Sequence, residues 1–211
     1  MQEAAHPYAQ FAKAGYEITI CSIAGGDATA TVDPESVAGA DAEAKEFWET
    51  KTDVLKVTKQ LSEYKGSDFD AFMLVGGFGV MYDFFPNAEV GRVGQETWES
   101  NGIVGSVCHG PIGLASIKLA DGTALVKGKT VAGFTNEEEV VVGLTEYYTK
   151  NDVEGESLST VEDVLKKLGA NYTKKDNWNC HVEVDGNLVS GQNPQSAGKV
   201  GEEIVNILSK R

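Results

Sequence analysis

IVGSVCHGPIGLASIKL, residues 103–119, joins a strand signal to a helix signal through a cysteine. Ile103–Val107 is apolar or small throughout, as suits a strand covered on both faces of a parallel sheet. Gly110–Leu119 reads as the following helix, with Pro111 fitted to a first turn that needs no N–H from it. Cys108 stands between the two, and its neighbours two residues away, Ser106 and Gly110, are small. That is the layout of a nucleophile elbow, in which a sharp strand-to-helix turn presents one reactive side chain. A helix N-terminus beneath the thiol predicts a pKa below the free value of about 8.5. The competing reading, a small buried hydrophobe at a strand end, leaves the following Gly-Pro without a reason.

The same alternation continues outward. Ile18–Ala24 (ITICSIA) closes on Gly25-Gly26 and Ala71–Val75 (AFMLV) on Gly76-Gly77, two more continuous apolar runs. Helical stretches are predicted over Ala4–Ala14 and Ala88–Ser100. Ser159 and Glu162 have capping-box spacing, ahead of Val161, Val164, Leu165 and Leu168, with Gly169 as the stop. Residues 181–190 read as a hairpin about Asp185-Gly186. A last helix carries Val200, Ile204, Ile207 and Leu208 on one face, with Ser196 as its N-cap. Strands alternating with helices predict an α/β three-layer sandwich on a mostly parallel sheet, one domain over residues 1–211. Gly143–Ser157, polar and aromatic without period, is predicted to be a mobile loop.

Composition narrows the function. The 211 residues include 32 acidic and 18 basic side chains, a formal net charge of −14, which repels nucleic acid and anionic membrane surfaces. No apolar run approaches the ~20 residues of a membrane helix. Met1–Gln10 lacks the basic and apolar regions of a signal peptide. Three cysteines, Cys21, Cys108 and Cys180, are odd in number and widely spaced, which predicts reduced thiols and a cytoplasmic protein. Cys21 and Cys180 fall in strand contexts and read as shielded structural residues. Cys180-His181 has no further ligands at metal spacing, and GGFG at 76–79 has no phosphate-loop lysine. No metal or cofactor is therefore expected. His181 and Glu183 share a strand face by geometry alone, although the same order occurs in glutamine amidotransferases.

VCHGP at 107–111, after GGFG at 76–79, resembles the ThiJ/PfpI superfamily within the class I glutamine amidotransferase-like fold. The closer resemblance is to its glyoxalase III branch, which includes heat-shock-protein chaperones. It rests on EAAHPY (3–8), AGYEITICS (14–22), GGFGVMYDF (76–84), GKTVAGFTNEEE (128–139), LKKLGANY (165–172) and VDGNLVSGQNPQSA (184–197), nearly end to end. It implies that Cys108 is the nucleophile, His109 its neighbouring base and Glu139 the group that orients the imidazole. Glu3 would lean over the thiol and share a proton with it, and His6 would pack or cap. The N–H groups of Gly77 and His109 would form an oxyanion hole, with Gly76 and Phe78 in its loop. Phe78 stands where most members carry histidine, which leaves a backbone hole intact and makes the pocket more apolar. Members also have a central first strand ahead of the glutamate, whereas Glu3 stands two residues from the start here. The resemblance therefore implies that this first strand is missing, that its neighbours have unpaired edges and that Glu3 lies on a fraying terminus.

Three functional classes follow. The first is a glutathione-independent, cofactor-free enzyme acting on small 2-oxoaldehydes, of D-lactate dehydratase type. Methylglyoxal would become D-lactate through a Cys108 hemithioacetal, with Glu3 or His109 as general base. The second is a stress-response holdase chaperone or redox sensor, with Cys108 as the oxidised group. The third is a cysteine peptidase, which needs an open groove. The amidotransferase reading is weaker still, since that cysteine is not normally followed by His-Gly-Pro. The resemblance also implies a homodimer.

Overall fold

The structure is a computed structural model that describes residues 1–32, 37–150, 152–153, 156–157 and 159–211. In chain order the regular elements begin with α1 (Gln2–Lys13), β1 (Cys21–Ser22), α2 (Ala42–Leu55), β2 (Lys59–Gln60) and β3 (Ala71–Leu74). They continue with α3 (Ala88–Glu99), β4 (Ile103–Val107), β5 (Thr130–Val131), α4 (Asn136–Val141) and α5 (Thr145–Lys150). The last are β6 (Asp152–Val153), β7 (Glu156–Ser157), α6 (Val161–Lys167), β8 (Asn171–Tyr172), β9 (Val182–Asp185), β10 (Leu188–Gly191) and α7 (Ala197–Leu208).

The main sheet runs β3-β4-β10-β9. β4 lies parallel to β3 and to β10, and β9 folds back antiparallel on β10. All five residues of β4 are buried, as expected of a strand covered on both faces. Helix α7 lies over β4 and β10 and packs on α1, while α3 packs on β3, β4 and the 110–116 segment. A strand buried on both sides with α7 on one face leaves α3 to the other. The fold is thus an α/β sandwich with mostly parallel pairing. Two short parallel pairs, β1-β2 and β5-β8, stand beside the main sheet.

Several predicted elements change on folding. Of Ile18–Ala24 only Cys21–Ser22 joins a ladder, with the unanticipated β2. Among the described residues β1 pairs with β2 alone and β3 with β4 alone, so each keeps one unpaired edge. The predicted helix Gly110–Leu119 is instead a seven-residue 3₁₀ stretch, Gly110–Ser116. Two glycines and a proline in its first four residues favour that shorter, tighter form. The hairpin turn sits one residue later than predicted, at Gly186-Asn187, with Gly186 at φ 63°, the sign a primed turn requires. Thr160, not Ser159, caps α6, by accepting from the Asp163 N–H at 3.2 Å. Ser196 precedes α7 without capping it: its Oγ donates to Asn193 and accepts from the His181 N–H. The mobile loop predicted over Gly143–Ser157 lies partly outside the described residues; those described form α5 and the β6-β7 pair.

Glu3 does not fray. It lies in the first turn of α1 and is 8% exposed. His6 Nε2 bonds Asp41 Oδ2 at 2.8 Å, and Asp41 caps α2 through the Ala44 N–H at 2.9 Å. That pair pins α1 to the following helix.

Candidate active site

The elbow is strained in the way its sequence suggests. Cys108 adopts φ 61°, a left-handed conformation that non-glycine residues seldom take. Neighbouring backbone holds it there: its N–H donates to Gly191 at 3.0 Å, and its carbonyl accepts from Phe134 N–H at 2.8 Å. Gly110 makes the sharp turn sterically possible, because a Cβ there would overlap the Leu74 carbonyl. The result is a thiol at the C-terminal end of β4 with only 3% of the residue exposed.

Three groups meet at that sulfur. His109 Nδ1 lies 3.4 Å from Sγ, and the buried Glu3 carboxyl stands beside it. The backbone N–H groups of His109 and Gly77 also point at Sγ and favour its charged form. Burial dominates nevertheless, and with the Glu3 carboxyl beside it pushes the thiol well above its ordinary pKa. The lowered pKa expected from a helix N-terminus is therefore not found. The short 3₁₀ stretch offers little dipole, and desolvation outweighs what dipole there is. Burial likewise raises the pKa of Glu3, although His109 and the chain's amino terminus pull it down. Two buried acids side by side resist being charged together, so the ionisation of Glu3 and Cys108 is coupled. Gly76 makes room for this contact: a Cβ on it would lie 2.5 Å from Glu3 Oε2 and 2.8 Å from the His109 nitrogen.

Behind the thiol runs a second line of contacts. His109 Nε2 lies 3.0 Å from Glu139 Oε1, and both side chains are buried. When Nε2–H donates to that carboxylate, Nδ1 is left as the acceptor facing the sulfur. Tyr148 donates its hydroxyl to the same Oε1 at 2.5 Å. Burial and Glu139 push that phenol far above its usual range, which keeps it a neutral donor. Sequence reasoning missed Tyr148, whose only signal was a pair of tyrosines in the otherwise polar segment 145–150. Phe134 stacks obliquely on His109 at 4.3 Å, and Phe78 meets the imidazole edge-on at 5.5 Å. Phe78 also touches Tyr82, Tyr147 and Tyr148, so aromatic rings crowd round the imidazole.

The three consecutive glutamates have separate fates. Glu137 pairs with Lys174 near the surface. Glu138 is fully buried and accepts from Thr135 N–H, Trp178 N–H, Gln192 Nε2 and Asn193 Nδ2. Of the three, Glu139 alone hydrogen-bonds His109. Residues 192–193 of the GQNPQS segment thus tie Glu138 down, one position from the imidazole partner.

The remaining candidates lie elsewhere. His181 Nε2 and Glu183 Oε1 both bond Thr173 Oγ1, each at 2.8 Å. Cys21 is half-buried, and Cys180 is exposed rather than shielded. Among the described residues no group of three or more His, Cys, Asp or Glu side chains could hold a metal ion. None of the described helices is long and apolar enough to cross a membrane.

The sequence profile of the DJ-1/PfpI family matches residues 2–207. Glyoxalase 3 of Candida albicans is 34% identical over 209 residues, covering 96% of this chain and 86% of that protein. A glutathione-independent glyoxalase of Saccharomyces cerevisiae is 31% identical over 204 residues, covering 92% of this chain and 82% of its own. The crystal structure of glyoxalase III from Candida albicans superposes with a TM-score of 0.84 at 32% identity, covering 97% of this chain and 86% of that one.

Proposed function

The chain belongs to the DJ-1/PfpI family, and from that premise we propose that it is a glutathione-independent glyoxalase, converting methylglyoxal to D-lactate through a hemithioacetal on Cys108. The observation that carries the reading is the buried Cys108 thiol on its strained elbow, with His109 Nδ1 at 3.4 Å and Glu139 behind the imidazole. A thiol only 3% exposed offers no open groove to a polypeptide, which disfavours the peptidase reading.

Addition comes first. Sγ bonds the aldehyde carbon C1 as its proton passes to Glu3, and the carbonyl oxygen takes up negative charge. That oxygen lies where the N–H groups of His109 and Gly77 converge, which stabilises the charge as it forms. The C1 proton then leaves to a general base and returns at C2 through an enediolate, so the ketone becomes a secondary alcohol and C1 becomes a thioester. Once Glu3 has passed the thiol proton on to the hemithioacetal oxygen, Glu3 and His109 Nδ1 both stand at the sulfur and can serve; Glu139 and Tyr148 fix the imidazole from behind. Water finally displaces Sγ from the thioester and leaves lactate. The overall change adds one water to methylglyoxal and needs no outside oxidant or reductant, consistent with cofactor-free lyase chemistry.

The family resemblance also supports a homodimer. Val140, Val141 and Val142, 65%, 61% and 44% exposed, offer an apolar surface on which a second copy could pack. The reaction is tested by incubating purified protein with methylglyoxal in the absence of glutathione and assaying lactate with stereospecific dehydrogenases. D-lactate accumulating in proportion to protein is expected; no lactate, or lactate appearing only with added glutathione, would reject the assignment.

A further inference from the structure

Glu138 is a buried acid that takes no part in the chemistry at Cys108. Its residue is 0% exposed, and its carboxyl accepts four N–H bonds from three separate parts of the chain. Oε1 takes Trp178 N–H at 2.9 Å, Gln192 Nε2 at 3.1 Å and Asn193 Nδ2 at 2.8 Å. Oε2 takes Thr135 N–H at 3.2 Å. Every partner is a neutral donor, and a group that only accepts can satisfy them all. Burying a carboxyl costs free energy unless such bonds are made.

Two of these partners adjoin the residues that grip the elbow. Cys108 keeps φ 61° between two backbone bonds, one to the Gly191 carbonyl at 3.0 Å and one from the Phe134 N–H at 2.8 Å. Gln192 follows Gly191 in the chain, and Thr135 follows Phe134. One carboxyl therefore bridges the two segments that hold the nucleophile. A third partner, Trp178, sets its ring 5.9 Å from that of Phe134, which in turn stacks on His109 at 4.3 Å. Trp178 stands at φ 64°, a conformation that persists only where the surroundings enforce it. Its bond to Glu138 is one such restraint.

We propose that Glu138 is a positioning residue for the nucleophile. It clamps the Phe134 and Gly191 segments together and so fixes Cys108 and the His109 imidazole, neither of which it hydrogen-bonds. Glu139 holds the imidazole directly, whereas Glu138 holds the backbone on which thiol and imidazole stand. Small displacements of reacting groups cost rate more than they cost binding, so the kinetic consequence, which rests on the glyoxalase reading, falls on kcat.

Glu138→Gln keeps the shape but turns an NH2 towards N–H donors, so the clamp loosens on at least one side. Three quantities are measured on the full chain: amide exchange, the ring signals of 15N-labelled histidine, and lactate formation. The Cys108 and Phe134 amides should exchange faster by about tenfold or more relative to Val104, whose N–H bonds Asn187 within the same sheet. The His109 ring signals should shift while those of His6, on α1, stay in place. kcat should fall about tenfold with KM changed less than about twofold. Should Glu138→Gln fail to fold, Gln192→Met removes one donor at similar volume and should give the same local changes at smaller amplitude. Unmoved His109 signals in the folded variant would overturn the proposal. So would Cys108 and Phe134 exchange that rises only in step with Val104, the mark of a residue that stabilises the fold as a whole. Exchange and ring signals need no turnover, so a wild-type chain inactive on methylglyoxal would reject the glyoxalase reading and leave these two readouts to decide the clamp.

Discussion

Glu3 and Cys108 each lose solvation on folding, and each meets the other as its nearest acidic neighbour. The consequence is a thiol held protonated by burial and by the Glu3 carboxyl, and two effects should follow from removing that carboxyl. Glu3→Gln keeps the shape and a hydrogen-bonding group but cannot accept the thiol proton, so turnover should fall by the ~10²–10⁴-fold typical of losing a general acid–base. Circular dichroism should show the fold retained. Full activity in Glu3→Gln would leave His109 as the only base. The second effect is on stability. Burial holds the native Glu3 carboxyl above the usual range, so above about pH 4 the unfolded chain releases a proton that the native state keeps. The native state then binds more protons, and stability falls as pH rises through that window. Wild-type Tm should therefore decline more steeply than that of Glu3→Gln from about pH 4 upward; parallel curves would mean that Glu3 ionises normally. Glu3, Cys108, His109 and Glu139 were all named from sequence through the E-x-x-H-P, V-C-H-G-P and G-F-T-N-E-E-E segments, and all meet at one place. The raised thiol pKa was not legible, because it depends on desolvation by residues distant in the chain.

At the scale of elements, the sequence signalled strands and helices best where partners are local or continuous. Ile103–Val107 and Ala197–Leu208 show this: a five-residue apolar run and a single-faced helix carry their burial in their own pattern. Ile18–Ala24 has the same apolar run yet forms only a two-residue ladder, because a strand needs neighbours and a cleft beside it separates it from β3. Helix α5 carried no apolar period, and its contribution to the site comes through one hydroxyl. Tyr148 shares Glu139 Oε1 with His109, so it acts as a positioning residue for the imidazole. A hydrogen bond to a charged group is worth about 1.5–3 kcal/mol, and 1.4 kcal/mol is tenfold in rate. Tyr148→Phe should thus lower kcat roughly 10- to 100-fold with KM and Tm little changed. A loss confined to Tm would instead make Tyr148 a packing residue.

For the whole molecule, the site is assembled from widely separated parts of the chain. Glu3 comes from the first helical turn, Gly77 from the end of β3, Cys108 and His109 from the elbow, and Glu139 from α4. A nucleophile assembled this way should be unique among the three thiols despite its burial. Cys21 is half-buried in β1 and Cys180 faces solvent, and neither adopts the strained left-handed conformation of the elbow. Gross thiol reactivity is a poor discriminator, because exposed Cys180 will alkylate readily whatever it does. The direct measurement is stereospecific lactate formation from methylglyoxal, without glutathione, by three proteins: wild type, Cys108→Ser, and the double variant Cys21→Ser/Cys180→Ser. The account predicts that the double variant matches wild type and that Cys108→Ser makes no D-lactate while keeping its fold by circular dichroism. Retained turnover in folded Cys108→Ser, or its loss in a folded double variant, would contradict it.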